Sequence, residues 1–222
     1  MIRTEELFTR GNGPADDYLF SFEYPWQALS GIKQFITEQI SRLDRNEYDE
    51  IKPDVFAHKT AVIYPTAYIG GPCIIGENTE VRQCAFIRGS AIIGKNCVIG
   101  NSTELKNVII CDNVQVPHYN YVGDSILGFK SHMGAGAVTS NVKSDKTLVT
   151  VNNNGERIET GLKKFGAILG ENVEVGCNSV LNPGTIVCPR SNIYPLSCVR
   201  GTVPPDSILK TGNITVAKVN KE

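Results

Sequence analysis

Residues 63–105 read IYPTAYIGGPCIIGENTEVRQCAFIRGSAIIGKNCVIGNSTEL, and an aliphatic residue recurs there at every sixth position. A second run with the same period begins at Leu169. A period of six matches neither the repeat of a helix nor the alternation of a simple strand. The aliphatic positions are Ile63, Ile69, Ile75, Val81, Ile87, Ile93, Ile99 and Leu105, then Leu169, Val175, Leu181, Val187, Ile193 and Val199.

This spacing is the hexapeptide signature of a parallel β-helix, an all-β prism in which three six-residue faces close one coil. We expect the aliphatic residue to point inward, together with a small residue four positions later. Glycine directly follows several aliphatic residues, where a turn needs backbone angles that a side chain hinders. The small positions are Ala67, Cys73, Thr79, Ala85, Ala91, Cys97 and Thr103, then Val173, Ser179, Thr185, Ser191 and Ser197.

Bulk composition narrows the class of protein. The chain has 222 residues and a formal net charge of −1, which suits one domain with an appendage and argues against nucleic acid or a membrane surface as its main partner. We see no signal-type or membrane-spanning apolar run, and therefore expect a cytoplasmic protein. The seven cysteines include no C-x-x-C pair, which disfavours a metal site, and Cys73 and Cys97 fall in the small inward position.

The repeat divides the chain into three parts. Residues 1–54 contain one amphipathic helix, predicted from about Pro25 to Leu43, that caps the first coil or packs on a neighbouring subunit. Residues 55–205 form the β-helix, and residues 206–222 form an exposed tail.

Two irregularities interrupt the β-helix. The six-residue frame slips near residues 116–121, and such a conflict in a strict repeat often marks a functional site. Residues 140–166 leave the repeat, and we expect a projecting loop with a small hairpin that turns at Asn154-Gly155. The insertion is basic, which fits either a binding face or a solvated surface. Its lysines are Lys143, Lys146, Lys163 and Lys164.

Three motifs around the slip carry a more specific signal: ELKN at 104–107, HYNYVGD at 118–124 and HMGAGAVTSN at 132–141. They resemble the hexapeptide-repeat acyltransferase family. The resemblance is to the acetyltransferase half of bifunctional UDP-N-acetylglucosamine pyrophosphorylase/glucosamine-1-phosphate acetyltransferase, and more closely to archaeal sugar-1-phosphate nucleotidylyltransferases that acetylate amino sugars. It covers about residues 55–205 and implies a left-handed parallel β-helix assembled as a homotrimer, with acetyl-CoA as co-substrate.

The resemblance also implies a role for each matching residue. His118 matches the catalytic base, and Asn141 matches an asparagine near the acetyl thioester. The residues implied to contact the amino sugar phosphate are Arg88, Lys106, Tyr121, His132 and Lys146. Those implied to contact acetyl-CoA are Ala135, through its backbone, Cys177, Pro195 and Lys210.

Several positions depart from the bifunctional enzyme. His132 replaces an asparagine, Val142 replaces a tyrosine and Cys177 replaces a serine. Residues 1–54 hold no counterpart of the glycine-rich nucleotide loop of the pyrophosphorylase half. The resemblance therefore implies acetyl transfer alone.

The chemistry of these residue types fits acetyl transfer to an amine. A neutral histidine can accept the proton that the attacking amine loses. The glycine-rich turn at 133–136 can offer backbone N–H groups to a tetrahedral oxyanion, and Arg88 and Lys106 can bind a phosphate. The sequence thus predicts N-acetylation of glucosamine 1-phosphate or galactosamine 1-phosphate, without a metal or a covalent intermediate.

Other functions stay open at this point. The acceptor could be a nucleotide-linked amino sugar, because Val142 and His132 reshape the pocket. The chain could also be a non-catalytic trimeric β-helix that serves as a regulatory or sugar-nucleotide-binding module. A zinc enzyme is disfavoured, since the three histidines, His58, His118 and His132, lack the H-x4-H spacing.

Overall fold

The computed structural model describes residues 2–153, 155–212 and 214–218. Short parallel strands run around a prism with three faces. The first face contains Val55–His58, Cys73–Ile75, Ala91–Ile93, the second halves of Glu104–Ile110 and Tyr121–Leu127, Ala167–Leu169, Thr185–Val187 and Thr202–Val203. The second contains Tyr68–Ile69, Phe86–Ile87, the first halves of the same two long strands, Val138–Thr139, Val180–Leu181 and Cys198–Val199. The third contains Val62–Ile63, Glu80–Val81, Val98–Asn101, Gln115–His118, His132–Met133, Glu174–Val175, Asn192–Ile193 and Ser207–Lys210.

The interior of the prism confirms the predicted six-residue pattern. The aliphatic positions are buried in both runs, except that Ile63 is partly exposed at the open edge of the first coil. Hydroxyls in the small inward position find backbone acceptors: Thr79 Oγ1 donates to Gly94 O at 2.7 Å and Thr103 Oγ1 to Val116 O at 3.0 Å. A buried threonine is therefore tolerated here, because its polar atom is satisfied by the coil that follows.

The change of frame lies elsewhere than predicted and occurs twice in the coils that precede the insertion. Ile75 pairs with Ile93, eighteen positions on, whereas Ile93 pairs with Ile110 after seventeen, so one residue is missing at the corner Lys106-Asn107. The next coil loses a residue at the same corner, Gly123-Asp124, as the pairing of Ile110 with Leu127 shows. The slip expected at residues 116–121 is therefore wrong in position. The strand there pairs with the preceding coil at the same seventeen-residue spacing that the corner Lys106-Asn107 had already produced.

The first face is covered by the N-terminal segment. The helices are Thr4–Leu7, Asp16–Leu19, the 3-10 helix Pro25–Ser30 and the α-helix Ile32–Ile40. The single helix expected from Pro25 to Leu43 is thus interrupted at Gly31. The Tyr18 hydroxyl donates to Ala28 O at 2.6 Å and lies where a Cβ on Gly31 would be.

The segment packs along the side of the prism, and not over the end of the first coil, which was one of the two positions predicted for it. The outward residue of the first face is isoleucine in six coils, and each of these isoleucines is buried beneath the N-terminal segment or the insertion. Removing this apolar surface from water stabilises the arrangement at about 25 cal/mol per Å². The isoleucines are Ile74, Ile92, Ile109, Ile126, Ile168 and Ile186.

The ends of the β-helix and the insertion carry antiparallel strands. Tyr48–Lys52 pairs with the first strand of the first face. The segment predicted as an exposed tail instead continues the β-helix, because Ser207–Lys210 is the last strand of the third face with Leu209 buried, and Ile214–Ala217 pairs with it. The hairpin of the insertion consists of Thr150–Asn153 and Glu156–Glu159, and its predicted turn residue Asn154 lies outside the described residues, as do residues 219–222.

The hairpin does not stand free as expected, but folds back on later coils. Val149 and Val151 are buried, and Thr202 Oγ1 donates to Asn152 O at 2.9 Å. Within the described part of the chain, no helix combines the length and apolarity needed to cross a membrane.

Candidate active site

His118 ends its third-face strand at the corner between the third and second faces. The strand register stacks one residue from each of the next three coils on it. These residues, which we call the His118 ladder, are His118, Ala135, Cys177 and Pro195. Since neighbouring strands lie about 4.8 Å apart, the ladder spans about 14 Å along the prism. Lys210 lies one coil beyond it, beside Tyr194.

Glycines allow the coils of the ladder to approach closely. A Cβ on Gly134 would lie 2.7 Å from Cys177 N, and a Cβ on Gly176 would overlap Pro195 N. Three of the four predicted acetyl-CoA contacts, Ala135, Cys177 and Pro195, therefore follow one another along the ladder on closely stacked coils. Cys177 is exposed and is a free cysteine.

The backbone of His118 is fixed by the glycine-rich turn of the next coil. Asn120 is buried, and its Oδ1 accepts from His118 N at 3.1 Å. Its Nδ2 donates to Gly134 O at 2.8 Å and to Ala137 O at 3.0 Å. The His118 carbonyl in turn accepts from Gly136 N at 3.0 Å. The imidazole itself is exposed and bonds to no residue that the structure describes, so it is available to a ligand.

We expect Asn120→Ala to lower the free energy of unfolding by about 1–3 kcal/mol, because it leaves buried backbone groups without their partner. The variant should also lose activity more than this destabilisation explains, since His118 N loses its bond to Asn120 and only the His118 carbonyl still binds the glycine-rich turn. Urea unfolding and turnover at a temperature where the variant is fully folded measure the two effects separately. Full activity of a folded variant would contradict the positioning role.

A free backbone donor lies next to His118 on the ladder. The Ala135 carbonyl accepts from Asn178 N at 2.8 Å, whereas the Ala135 N–H donates to no described atom. Ala135 is only half-buried, so a ligand can reach this N–H. An unpaired donor beside a histidine is the arrangement that a developing oxyanion requires.

A second cluster surrounds Asp124, at the corner between the second and first faces. Lys106 Nζ lies 2.8 Å and 3.0 Å from the two carboxylate oxygens, Asn107 Nδ2 donates at 3.0 Å and Asn141 Nδ2 at 2.5 Å. Asp124 itself is buried. The strand that bears Tyr121 runs between this corner and the His118 ladder, so the second face connects the two.

Tyr121 is held as a neutral hydrogen-bonding group. Burial, and then the charges of Asp124 and Glu104, raise the pKa of its hydroxyl above the usual value of 10.0. The hydroxyl remains protonated at neutral pH and can donate to a ligand. Its ring lies over Gly123, and a Cβ there would overlap the hydroxyl, so a larger residue at this corner would displace the Tyr121 ring.

Both cations predicted to bind phosphate are paired within the chain. Arg88 Nη1 lies 2.9 Å from Glu104 Oε1, and this hydrogen bond raises the pKa of the guanidinium. Lys106 is the less exposed of the two and is paired with Asp124. A phosphate would have to share each cation with a carboxylate.

Two predicted substrate contacts lie outside both clusters. His132 is the first residue of its strand and pairs with Gln115 on the neighbouring strand. His118 stands three residues after Gln115, so the two histidines are about 10 Å apart along the strand direction. His132 Nδ1 forms a hydrogen bond with Glu174 Oε2 at 2.8 Å. Lys146 is exposed in the insertion, where its N–H bonds to Lys143 O. No group of three or more potential metal ligands occurs among the described residues.

Sequence reasoning missed Asn120, Asp124 and Glu104 as parts of the site. Glu104 and Asp124 stand inside the motifs but were assigned no role. Asn120 had a usable signal, because it occupies the small inward position of its hexapeptide and is buried there. A polar residue of that size inside a tight coil must satisfy its amide with backbone groups.

The prism of parallel coils with a six-residue repeat defines a left-handed β-helix of the hexapeptide-repeat class. The family model described as the GMPPB C-terminal domain matches residues 71–200, more than half of the chain. The chain belongs to this family.

Comparison with known proteins agrees with this assignment. The chain is 31% identical over 161 residues to the "Bifunctional protein GlmU" of Methanococcus vannielii, covering 72% of this chain and 34% of that protein. It is 30% identical over 191 residues to the "Bifunctional sugar-1-phosphate nucleotidylyltransferase/acetyltransferase" of Sulfurisphaera tokodaii, covering 85% of this chain and 48% of that protein. The chain therefore spans less than half the length of either relative.

Solved structures show a weaker likeness. A mutant of AntD, an N-acyltransferase from Bacillus cereus in complex with dTDP and Coenzyme A, is 17% identical, with a TM-score of 0.38 over 78% of this chain and 91% of that chain.

Proposed function

We propose that this protein transfers the acetyl group of acetyl-CoA to the amine of an amino sugar 1-phosphate. The proposal rests on one observation. His118 has a fixed backbone and an exposed imidazole, and the Ala135 N–H, which donates to no described atom, lies beside it on the next coil. Glucosamine 1-phosphate and galactosamine 1-phosphate are the proposed acceptors.

The reaction needs one base and one oxyanion donor. The amine nitrogen attacks the thioester carbonyl carbon while His118 accepts the amine proton. The Ala135 N–H donates to the oxyanion of the tetrahedral intermediate. The C–S bond then breaks, and the proton passes from His118 to the departing sulfur, which gives coenzyme A and the N-acetyl sugar.

The two clusters divide the binding of the substrates. The His118 ladder and Lys210 bind acetyl-CoA along the edge of the prism, with the thioester beside Ala135. Tyr121 contacts the amino sugar on the second face, and Asn141 lies near the acetyl thioester. Arg88 and Lys106 bind the sugar phosphate, and their carboxylate partners orient them for this contact.

We include a homotrimer in the proposal, because the second face exposes an apolar pair. Tyr68 and Phe86 are 56% and 42% exposed, and their ring centroids lie 5.4 Å apart. Contact with a second copy would remove these rings from water, and ligand sites occur preferentially at such interfaces.

The test is release of coenzyme A with each acceptor in turn. Chromatography should replace a thiol reagent, since Cys84, Cys177 and Cys198 are exposed and would react. We expect release only with a free amine, so N-acetylglucosamine 1-phosphate is the control. Cys177→Ala should retain turnover, because attack is direct. Binding of a sugar nucleotide without any release of coenzyme A would instead favour the non-catalytic module.

A further inference from the structure

Asp124 is a buried carboxylate that serves several groups at once. It is 4% exposed and accepts hydrogen bonds from Lys106, Asn107 and Asn141. One charged partner balances its charge, and two amides satisfy the remaining lone pairs. Without such partners a buried carboxylate costs several kcal/mol, so the three donors and Asp124 hold one another in place.

The place of Asp124 in the chain gives these bonds a consequence beyond stability. The insertion leaves the prism after Ser140 and returns at Gly166, directly above Asp124. Its first residue, Asn141, donates to the Asp124 carboxylate, and at its last residue Gly166 N donates to the Asp124 carbonyl at 2.8 Å. Phe165 N closes the loop on Asn141 O at 3.0 Å. Both ends of the insertion are therefore anchored at Asp124.

The two shortened corners bring the hydrogen-bond donors close to the Asp124 carboxylate. Asp124 has a φ of 48° and follows Gly123 at the corner where one residue is missing. The corner below it is shortened in the same way at Lys106-Asn107. Lys106 and Asn107 thereby come within hydrogen-bond reach of Asp124 from the preceding coil, and Asn141 comes from the following one.

We propose that Asp124 is the positioning residue of the acetyltransferase site, acting through Asn141 and Lys106. This inference rests on the proposed function and assigns Asp124 no contact with either substrate. Asp124 binds the Asn141 amide nitrogen, which leaves Asn141 Oδ1 free for a ligand beside Tyr121. It also holds the Lys106 ammonium at the edge of the second face.

The variant Asp124→Asn tests the proposal with little change in shape. Asparagine tolerates a positive φ, so the corner keeps its backbone. Its amide keeps one acceptor oxygen with two lone pairs and presents an NH₂ group where the second oxygen was, so Lys106, Asn107 and Asn141 cannot all remain bound, and the Lys106 ammonium loses its counter-charge. We expect kcat/KM to fall about 100-fold, the loss that a misplacement of about 1 Å can cause. The double variant with Asn141→Ala should lose less than the two single losses combined, because the part that acts through Asn141 is already absent.

A matched control exists at Asp206, which also has a positive φ and pairs with Arg190 at 2.6 Å and 2.7 Å, far along the chain from the clusters. Asp206→Asn makes the same chemical change and should leave kcat/KM within about twofold, as surface pairs contribute little. Hydrogen exchange gives a second measurement, independent of activity. Exchange at residues 141–153 should be faster in Asp124→Asn and unchanged in Asp206→Asn.

Three outcomes overturn the proposal: a folded Asp124→Asn protein with wild-type kcat/KM, losses for Asp124→Asn and Asn141→Ala that simply add, or unchanged hydrogen exchange at 141–153. The failure of the proposed function looks different. In that case the wild type releases no coenzyme A with either sugar, while faster exchange in Asp124→Asn still shows that Asp124 fixes Asn141.

Discussion

Replacement of His118 by alanine should lower kcat by about 100- to 10,000-fold, the range that a positioned general base contributes. The fold should survive, because the imidazole is exposed and bonds to no described residue, while the backbone bonds to Asn120 and Gly136 do not depend on the side chain. The loss should therefore appear in kcat, with little change in the melting temperature or in the KM for acetyl-CoA.

The measurement is steady-state release of coenzyme A with a saturating acceptor. His58→Ala is the matched control, since His58 bonds to Thr60 in the first coil and belongs to neither cluster. Equal kcat for wild type and His118→Ala would remove His118 from the mechanism. A loss of similar size in His58→Ala would show that histidine replacement disturbs the prism as a whole.

The second large effect concerns stability. Gly100→Ala should lower the free energy of unfolding by about 3 kcal/mol or more, at the upper end of the cost of overpacking. A Cβ at this position would overlap the carbonyl of Pro117 in the next coil. The obstacle is backbone, so the two coils must separate, and Tyr119 N would lose its bond to Asn101 O of 2.9 Å.

Thermal unfolding followed by circular dichroism measures this effect. A change of about 3 kcal/mol corresponds to a melting temperature about 6–12 °C lower for a domain of this size. Gly70→Ala is the control, because its Cβ would meet only Arg88 O at 3.3 Å, which a small backbone adjustment relieves. Equal melting temperatures for the two variants would show that the coils are more compliant than their stacking indicates.

The prism and the buried pattern of its coils were predictable from the sequence. Successive side chains of a short strand point alternately into and out of the prism. A residue type that recurs every six positions therefore identifies the inward positions directly. The covered face was also encoded, in the isoleucine that stands before the inward residue in six coils of the first face. This outward isoleucine occurs once per coil, whereas the inward aliphatic residue occurs on all three faces. The more frequent inward pattern therefore dominates the sequence.

The site was predictable only in part. The motifs and the resemblance named residues that the structure stacks on one ladder: His118, Ala135, Cys177 and Pro195. The structure places His132 at the far end of its strand against Glu174, and Lys146 outside both clusters of this chain. The roles of all these residues stay predictions.

The sequence by itself determined the β-helix, its two runs of coils and the order of residues along the His118 ladder, because each follows from a repeat that acts locally. Only the tertiary structure decided the partners of Asp124 and the pairing of Arg88 with Glu104. Those contacts join different coils, and their geometry depends on two corners that are each one residue short. A missing residue shifts the register of every later strand, so its consequences appear only when the coils are stacked.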